Sequence, residues 1–282
     1  MRVLFVAINY NTAQQALQFA GSFPKERINS GELSLILVDN TQGEQRYALK
    51  EAIDTQMPYV TCLVAPKNLG YFGGARYGLE YAKSAFPVAD WVAVSNVDVM
   101  FSVKDAFGFL GELDPYSIGI VAPGIISGQT GRPLNPFLKK RPAAIRMHAY
   151  RWLFSSYWAY LAYIKLSEWN TRLHIKVRRR RRSGNPAPKI STSPNFIYAP
   201  HGAFVFLGRG FFERGGNLRH EPFLYGEEIT LAEQSRRLNL PVVYEPRISV
   251  MHEHQASTGR LPSKTLHRFV SEAAKYSAKS YF

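Results

Sequence analysis

The sequence predicts an α/β fold, a mostly parallel Rossmann-like sheet flanked by helices, and three observations over residues 1 to about 125 support it. Short runs enriched in Val, Ile and Leu are suited to strands that are buried on both faces. Segments of helical length and spacing lie between these runs. The two kinds of segment alternate, which is the βαβ pattern of a parallel sheet with right-handed crossovers.

The elements follow in chain order. The first strands are predicted at Val3–Ile8, Leu33–Val38, Tyr59–Val64, Trp91–Val94 and Ile118–Val121. The helices between them are predicted at Ala13–Phe23, Glu44–Asp54, Gly73–Ala85 and Val103–Leu110. Later elements are strands at Ala203–Leu207 and Pro241–Glu245 and a helix from about Phe223 to Asn239. The turn after the first strand lacks the Gly-x-Gly-x-x-Gly of a dinucleotide-binding fold.

Composition narrows the class of protein. A chain of 282 residues with 46% hydrophobic content can bury a large core, and we expect one main domain. The net charge of +14 favours an anionic partner: a nucleotide, a phospholipid surface or nucleic acid. The single cysteine, Cys62, excludes an internal disulfide and fits a cytoplasmic protein. The first residues indicate a strand rather than a signal peptide, and no stretch is apolar enough to cross a bilayer.

Residues 130–195 differ from the rest and are predicted to form an aromatic and basic helical insertion. His148–Leu173 carries eight aromatic side chains, and Arg178–Arg182 follow without interruption. Such a segment is typical of helices that lie in the interface of an anionic membrane, which is our first interpretation. The alternatives are a helical insertion packed on the sheet and, last, binding of single-stranded nucleic acid; no nucleic-acid partner is expected, because nothing else resembles such a module.

Polar residues follow the first two predicted strands. Asn11 comes after the first strand, and Asp39 and Asn40 come after the second. The carboxyl ends of neighbouring parallel strands share one edge of the sheet, so these side chains suit recognition of a base and a ribose. The alternative is that they only cap helices or shape turns.

A glycine-rich segment opens the third predicted helix. Gly70 and Gly74 allow a backbone to approach a ligand closely, and the start of a helix favours an anion. Asn68 and Arg76 lie in the same segment and complete this group of candidates for nucleotide binding.

Candidate metal ligands follow two other strands. Asn96 and Asp98 come directly after the strand at Trp91–Val94, and His252 follows the last predicted strand, close to His254. Mg²⁺ and Mn²⁺ use one or two carboxylates together with substrate phosphates, and Mn²⁺ accepts an added imidazole. Asp98 and His252 are therefore the predicted ligands, and the alternative for the histidines is a surface or core position without metal.

Two adjacent carboxylates, Glu227 and Glu228, open a predicted helix. A carboxylate there is stabilised by the positive end of the helix dipole, and one member placed in a cleft can take a proton from a hydroxyl nucleophile. The alternative is charge complementarity at the helix end and nothing more.

The order and spacing of these motifs resemble glycosyltransferase family 2, and most closely its bacterial rhamnosyltransferase-type branch. The resemblance covers roughly residues 1 to 125 and 196 to 257. The motifs that carry it are, in chain order, Asn68-x-Gly70 with Gly73, Gly74 and Gly78; Asn96-x-Asp98; Gly202; Gly215-Gly216; Phe223-x-Tyr225-x-Glu227-Glu228; and His252, ahead of Ser257.

The resemblance implies a GT-A fold and roles for the residues at the nucleotide. Asp98 would be the last acid of an Asp-x-Asp-type motif that holds Mg²⁺ or Mn²⁺, with Asn96 at the position of its first acid. Asp39 would contact the base, and Asn11 would lie near the nucleotide. His252 would assist at the metal or the diphosphate.

The resemblance also implies a reaction. Glu228, beside Glu227, occupies the position of the family's general base and would deprotonate an acceptor hydroxyl for an inverting attack on the sugar of a nucleotide diphosphate sugar. The best candidate for the donor is dTDP-rhamnose. The acceptor is expected to be a lipid-linked glycan used in bacterial surface polysaccharide synthesis, with the protein on the cytoplasmic face of the cell membrane.

Several positions depart from the family's pattern. Arg76 stands where Asn is usual, Thr230 replaces an acidic residue, Gln234 replaces Arg, and Glu228 replaces Asp. These differences leave two other interpretations open. One is a basic membrane- or glycan-binding module that has kept the fold without the chemistry. The other is a nucleotidyltransferase, which shares the sheet and the metal-binding acid.

The predicted organisation has four parts. Residues 1–129 are the nucleotide-sugar half of the main domain, and 130–195 are the insertion. Residues 196–258 are the acceptor and catalytic half, and 259–282 are a C-terminal tail.

Overall fold

The computed structural model describes residues 1–167, 169, 194–253 and 263–282. The chain divides into two compact units, residues 1–141 with 193–255 and residues 142–192 with 256–282. The second unit therefore joins the segment inserted after residue 141 to the C-terminal segment. Arg178–Arg182 and His254, which the sequence singles out, lie outside the described residues.

Nine strands among the described residues form one sheet in the first unit. They are β1 (Val3–Asn9), β2 (Leu33–Asp39), β3 (Thr61–Val64), β4 (Trp91–Asn96), β5 (Val99–Phe101), β6 (Ile120–Ser127), β7 (Asn195–Ile197), β8 (Phe204–Gly208) and β9 (Val242–His252). The order across the sheet is β3-β2-β1-β4-β8-β6-β9-β5, and β7 pairs with β9. The strands β3, β2, β1 and β4 are parallel, as predicted, and β8 runs antiparallel to β4 and β6.

The helices flank this sheet or build the second unit. They are α1 (Ala13–Gly21), α2 (Lys25–Asn29), α3 (Ala48–Gln56), α4 (Gly70–Ala85), α5 (Val103–Leu110), α6 (Ala144–Leu153), α7 (described over 157–167), α8 (Arg209–Glu213), α9 (Glu227–Arg237) and α10 (Lys264–Tyr281). The predicted α/β architecture is confirmed.

The central strands are apolar on both faces. On β1, Phe5 belongs to one hydrophobic cluster and Val6 belongs to the cluster on the other side of the sheet. Successive side chains of a strand point to opposite faces, so a strand covered on both sides reads as a continuous apolar run. Cys62 is buried in the first cluster, as its apolar surroundings in the sequence predict.

Helix α4 packs closely on the sheet because it carries glycines. A Cβ atom at Gly78 would lie 2.6 Å from Val6 Cγ1 and 2.9 Å from Val38 Cγ2, and one at Gly74 would lie 3.1 Å from Asn40 Nδ2. These two glycines bring the helix against β1 and β2. Gly70, with φ +71°, admits the carbonyl oxygen of Phe223, which a side chain would overlap.

The aromatic segment is two helices in its described part rather than the single helix that the sequence predicts. Ser155 Oγ donates to the carbonyl of Trp152 at the end of α6, and Ser156 Oγ accepts from the backbone N–H of Ala159 at the start of α7. Serine hydroxyls compete for backbone hydrogen bonds and favour helix ends, which explains the break at this pair.

The second unit has an aromatic core of its own. Phe154 stacks on Tyr150 with ring centroids 5.1 Å apart and contacts Tyr160 and Tyr163. His267 of α10 contacts the ring of Tyr160, and its Nε2 lies 2.9 Å from the carbonyl oxygen of Phe154. None of the helices in the described part of the chain is long and apolar enough to cross a membrane.

Helix α9, which carries the paired carboxylates, is fixed at its middle by a buried acid. The carboxylate of Glu233 is fully buried and accepts from Arg141 Nε at 2.6 Å, Tyr198 Oη at 2.7 Å and Arg236 Nε at 3.0 Å. Burial acts to raise the pKa of Glu233, and these hydrogen bonds outweigh it, so the pKa is lowered. Charge-assisted hydrogen bonds of this kind are the strong ones.

We expect Glu233→Gln to lower the free energy of unfolding by about 2–3 kcal/mol, because one buried acceptor of three charge-assisted hydrogen bonds loses its charge. Denaturant unfolding measures the loss. The matched control is Glu213→Gln, since Glu213 forms an exposed i,i+4 pair with Arg209 and should cost less than about 0.5 kcal/mol. Equal losses in the two variants would contradict this role of Glu233.

Candidate active site

Three parallel strands deliver polar residues to one edge of the sheet. In the β1–β2 register Asn9 lies opposite Asp39, and in the β1–β4 register Ile8 lies opposite Asn96. The ends of β2, β1 and β4 are therefore level. The grouping of polar strand ends that the sequence predicts is present in the structure.

Asp39 is a buried carboxylate with one fixed oxygen and one open oxygen. Its side chain is 1% exposed, and its Oδ1 accepts from Asn9 Nδ2 and from the backbone N–H of Thr41, both at 2.9 Å. Among the described residues nothing donates to Oδ2, which is also buried. Buried polar atoms of proteins are nearly always hydrogen-bonded, so Oδ2 is an acceptor suited to a donor group on a ligand.

The other predicted residues at these two strand ends lie beside Asp39. Asn11 is exposed, has the left-handed φ of 58° and donates from its backbone to Thr41 Oγ1 at 2.9 Å. Asn40 is buried; its Nδ2 donates to the carbonyl of Gly70, and its Oδ1 accepts from the N–H of Leu69. Asn40 thus ties β2 to the start of α4, and a contact with a nucleotide stays a prediction for it.

Asp98 and His252 meet at the end of β4. His252 Nε2 lies 3.1 Å from Asp98 Oδ1 and 3.5 Å from Asn96 Nδ2. The pairing of β5 with β9 brings them together, because Val99 lies opposite His252 and the N–H of Glu253 donates to the carbonyl of Asp98. His252 is 2% exposed, whereas the side chain of Asp98 is 18% exposed and is open to a ligand.

The two groups suit a hard divalent cation that shares its remaining positions with a substrate. A carboxylate and an imidazole are ligand types that Mn²⁺ accepts, and Mg²⁺ commonly takes one or two protein carboxylates plus phosphate oxygens. No group of three or more His, Cys, Asp or Glu in the described part of the chain could hold a metal by itself. The donor set therefore fits a cation bound together with a diphosphate rather than a complete protein cage.

The paired carboxylates open α9, and Glu227 is buried whereas Glu228 is half-buried. Gly226, with φ 86°, precedes the helix in the left-handed region that favours glycine. Glu227 is 5% exposed, and burial together with the charge of Glu228 raises its pKa to about 8. Glu228 is partly exposed, its Oε1 accepts from the N–H of Gly202 at 3.3 Å, and burial raises its pKa. The pair is not a solvated helix end.

Tyr71 shares Gly202 as a hydrogen-bond partner with Glu228, and the sequence analysis does not single it out. Its hydroxyl donates to the carbonyl of Gly202 at 2.7 Å, while the N–H of the same glycine donates to Glu228. Burial and the charges of Glu227, Glu228 and Asp98 raise the pKa of Tyr71 well above its usual value. Tyr71 and Glu228 thus bind the same glycine, and the charges of all three acids act on the phenol. Its position inside the glycine-rich motif was the available signal.

His201 is a second residue that the sequence reasoning missed. Its ring centroid lies 6.0 Å from that of His252, and its Nδ1 accepts from the N–H of Ala203 at 3.2 Å. Asn135 fixes the backbone here, since its Oδ1 accepts from the N–H of His201 at 2.6 Å. No motif marks His201, because its relation to His252 depends on the pairing of distant strands.

Asn68 and Arg76 line a cavity of about 330 Å³ on α4. Lys67 and His220 also line it, whereas none of its lining residues belongs to the Asp39, Asp98 or Glu228 groups. Asn68 Oδ1 accepts from the N–H of Gly70 and shapes the start of the helix. The cavity thus shares no lining residue with those groups, although Asn40 at the end of β2 binds the backbone of Leu69 and Gly70 next to Asn68.

The departures at Thr230 and Gln234 have structural roles. Thr230 Oγ1 lies 2.8 Å from His220 Nδ1, and Gln234 Oε1 accepts from the N–H of Asn217 at 2.9 Å. These two contacts fix the segment before α9 to that helix. They therefore hold the loop that leads into Glu227 and Glu228.

Comparison with known proteins identifies the fold. No protein-family model matches the sequence, and no curated protein matches it. Among solved structures, GalNAc-T7 with UDP, GalNAc and Mn²⁺ is similar with TM-score 0.56 and 15% identity over 96% of this chain and 48% of that chain. This chain thus spans about half the length of that structure.

Two further structures are similar at lower scores. The mannosyltransferase PcManGT from Pyrobaculum calidifontis, with GDP-Man and Mn²⁺, has TM-score 0.49 and 12% identity over 99% of this chain and 73% of its own. TarS 1–349 from S. aureus has TM-score 0.47 and 12% identity over 87% of this chain and 60% of its own.

The likeness to GalNAc-T7 shows that this chain has the GT-A fold of glycosyltransferases. The resemblance predicted from the motifs is confirmed at the level of the fold. The rhamnosyltransferase-type branch stays a prediction.

Because Glu227 is buried beside Glu228, we predict that the free energy of unfolding of the protein depends on pH. The folded state holds the proton of Glu227 up to about pH 8, whereas an ordinary glutamate releases it near 4.5. The folded state therefore binds more protons between these values, and raising the pH through this interval destabilises it. We expect the free energy of unfolding to fall by an amount on the order of 3 kcal/mol.

Glu227→Gln should flatten this dependence, because an amide stays neutral at both ends of the interval. Denaturant unfolding at pH 5 and pH 8 measures the difference in wild type and variant. Glu213→Gln, which changes an exposed glutamate, should keep the wild-type slope. A wild-type slope in Glu227→Gln as well would show that Glu227 does not titrate in this range.

Proposed function

We propose that the protein is a glycosyltransferase that moves a sugar from a nucleotide diphosphate sugar to a hydroxyl group of a glycan acceptor. The observation that carries the proposal is the meeting of three kinds of group at one sheet edge: the open acceptor of Asp39, the Asp98–His252 pair, and the buried Glu227–Glu228 pair. Gly202 links the last two groups, since its N–H donates to Glu228 and the carbonyl of the neighbouring Ala203 accepts from the N–H of Asn96.

The donor would be held at the strand ends. Asp39 Oδ2 would accept a hydrogen bond from a ring N–H of the base, and exposed Asn11 would lie beside the nucleotide. Asp98 and His252 would hold Mg²⁺ or Mn²⁺, which neutralises the charge of a diphosphate leaving group. The GalNAc-T7 structure contains UDP and Mn²⁺, which is consistent with a divalent metal here.

Glu228 is the better candidate for the general base. It is partly exposed and can face an acceptor, whereas Glu227 is nearly enclosed. The proton of the acceptor hydroxyl passes to the Glu228 carboxylate while the hydroxyl oxygen bonds to the anomeric carbon. The bond between that carbon and the diphosphate oxygen breaks in the same displacement, so the configuration inverts. The raised pKa of Glu228 makes its carboxylate a stronger base.

The finer assignments rest on the motif resemblance. We propose dTDP-rhamnose as the donor, a lipid-linked glycan as the acceptor, and a role in bacterial surface polysaccharide synthesis at the cytoplasmic face of the membrane. Arg76, where the family usually has Asn, makes the choice of donor the first point to test.

Donor binding is expected to require Asp98. Wild type should melt at a higher temperature with its donor and Mn²⁺, because a ligand that binds only the folded state stabilises it. Thermal shifts with dTDP-rhamnose, UDP-sugars and GDP-mannose identify the donor. Asp98→Asn should lose the metal-dependent part of the shift, whereas Glu228→Gln should keep it. The absence of a shift with every donor would favour a binding module without activity.

Transfer is expected to require Glu228. Glu228→Gln should lower kcat by about 10²–10⁴-fold, the range typical of a lost general base, when release of the nucleoside diphosphate is measured with Mn²⁺ and an acceptor. Glu213→Gln, an exposed change of the same kind, should keep full activity. Full activity of Glu228→Gln would contradict the assignment, and release of pyrophosphate would instead indicate a nucleotidyltransferase.

A further inference from the structure

The net positive charge of the protein lies in one of its two units. Residues 142–192 and 256–282 hold sixteen Lys and Arg and two acidic residues, while the first unit holds nineteen of each sign. The whole net charge of +14 thus belongs to the second unit, and the unit with the GT-A sheet is neutral. In sequence, no acidic residue occurs between Asp114 and Glu168.

Helix α6 of the second unit exposes an apolar stripe. Ile145, Ala149 and Trp152 follow the i, i+4, i+7 spacing of one helix face and are all exposed, Ile145 by 80% and Trp152 by 77%. The side chain of Met147 is buried on another face of the helix, at 8% exposure. The apolar stripe is therefore additional to the face that forms the core.

Helix α7 repeats the same arrangement. Trp158, Ala162, Leu166 and the following Trp169 lie at i, i+4, i+8 and i+11, with Trp158 exposed by 77% and both Leu166 and Trp169 by 62%. Tyr160 is buried at 7%. A helix of an ordinary globular protein places its polar face outside, so two neighbouring helices with exposed apolar stripes need an external partner.

Cations border both stripes. Arg146 and Arg151 on α6 and Lys165 on α7 are exposed. Arg178–Arg182 belong to the same unit by their place in the chain. Tryptophan is favoured at the depth of lipid headgroups because its ring is amphipathic, and Arg and Lys beside it attract anionic lipid.

We propose that the second unit is a docking module for the surface of an anionic phospholipid bilayer, with Trp152, Trp158 and Leu166 in the headgroup region. The unit would lie on the membrane, since no described helix is able to span it.

A second copy of the chain is a less suitable partner for this surface, because two units of charge +14 repel each other. Single-stranded nucleic acid would use the cations and rings but leave Ile145 and Leu166 in water. The proposal does not depend on the transferase activity.

The tryptophans provide a direct readout. Of the four tryptophans, Trp91 is fully buried in the first unit and the other three are exposed in the second. With vesicles of phosphatidylglycerol and phosphatidylethanolamine, we expect a blue shift of the emission and quenching by brominated acyl chains. The triple variant W152F/W158F/W169F should still co-sediment with the vesicles, but its remaining emission, from Trp91, should not respond.

Charge and ring variants test the surface itself. Arg151→Glu with Lys165→Glu should weaken partitioning at least about thirtyfold, since each removed cation costs roughly five- to sixfold at an anionic surface. Lys104→Glu with Arg132→Glu makes the same charge change on exposed residues of the first unit and should have a smaller effect. Trp152→Ser with Trp158→Ser should also reduce partitioning. Circular dichroism confirms that each variant is folded.

Three outcomes would overturn the proposal. One is co-sedimentation that is equally strong with neutral phosphatidylcholine vesicles and insensitive to salt. Another is concentration-dependent dimerisation that buries the tryptophans and is lost in Trp152→Ser with Trp158→Ser. The third is tighter binding to single-stranded oligonucleotides than to anionic vesicles. Donor thermal shifts remain measurable in all of these cases, so failure of the membrane proposal is distinguishable from failure of the proposed activity.

Discussion

The level pairing of β2, β1 and β4 is the constraint on which the rest of the structure depends. Because these strands are covered on both faces, polar side chains are tolerated only where the strands end. The register sets Asn9 beside Asp39 and brings β4 to the same edge, where Asp98 follows. The pairing of β5 with β9 then adds His252 to Asp98. A one-residue slip would turn every core side chain of these strands to the wrong face.

The acidic centre combines burial with a small number of backbone contacts. Gly202 links two of its side chains, since the N–H of Gly202 donates to Glu228 and its carbonyl accepts from Tyr71. Burying two neighbouring carboxylates disfavours their charged forms, which raises both pKa values. Farther along α9, the ion pairs of the buried Glu233 carboxylate with Arg141 and Arg236 hold the helix in place and offset the cost of this burial. Stability is thus supplied next to the carboxylate that we propose as the proton acceptor.

The two units differ in net charge, and we propose a different task for each. The first unit has no net charge and carries the acids expected to handle a nucleotide diphosphate, while the second unit carries the net charge of +14 and the exposed tryptophans. The excess of positive charge that favours an anionic partner thus belongs to residues 142–192 and 256–282.

The sequence by itself determined the parallel strands, α5 at Val103–Leu110 and the acids at strand and helix ends, because apolar periodicity and motif spacing are local properties. It misjudged the aromatic segment, where Ser155 and Ser156 split one expected helix into two. The sequence predicted Asp98 and His252 as ligands of one metal, but only the tertiary structure showed that they are in contact and that Tyr71 binds Gly202. Strand pairing and helix packing bring together these residues, which are more than one hundred positions apart. Burial of the carboxylate pair likewise depends on the surrounding chain.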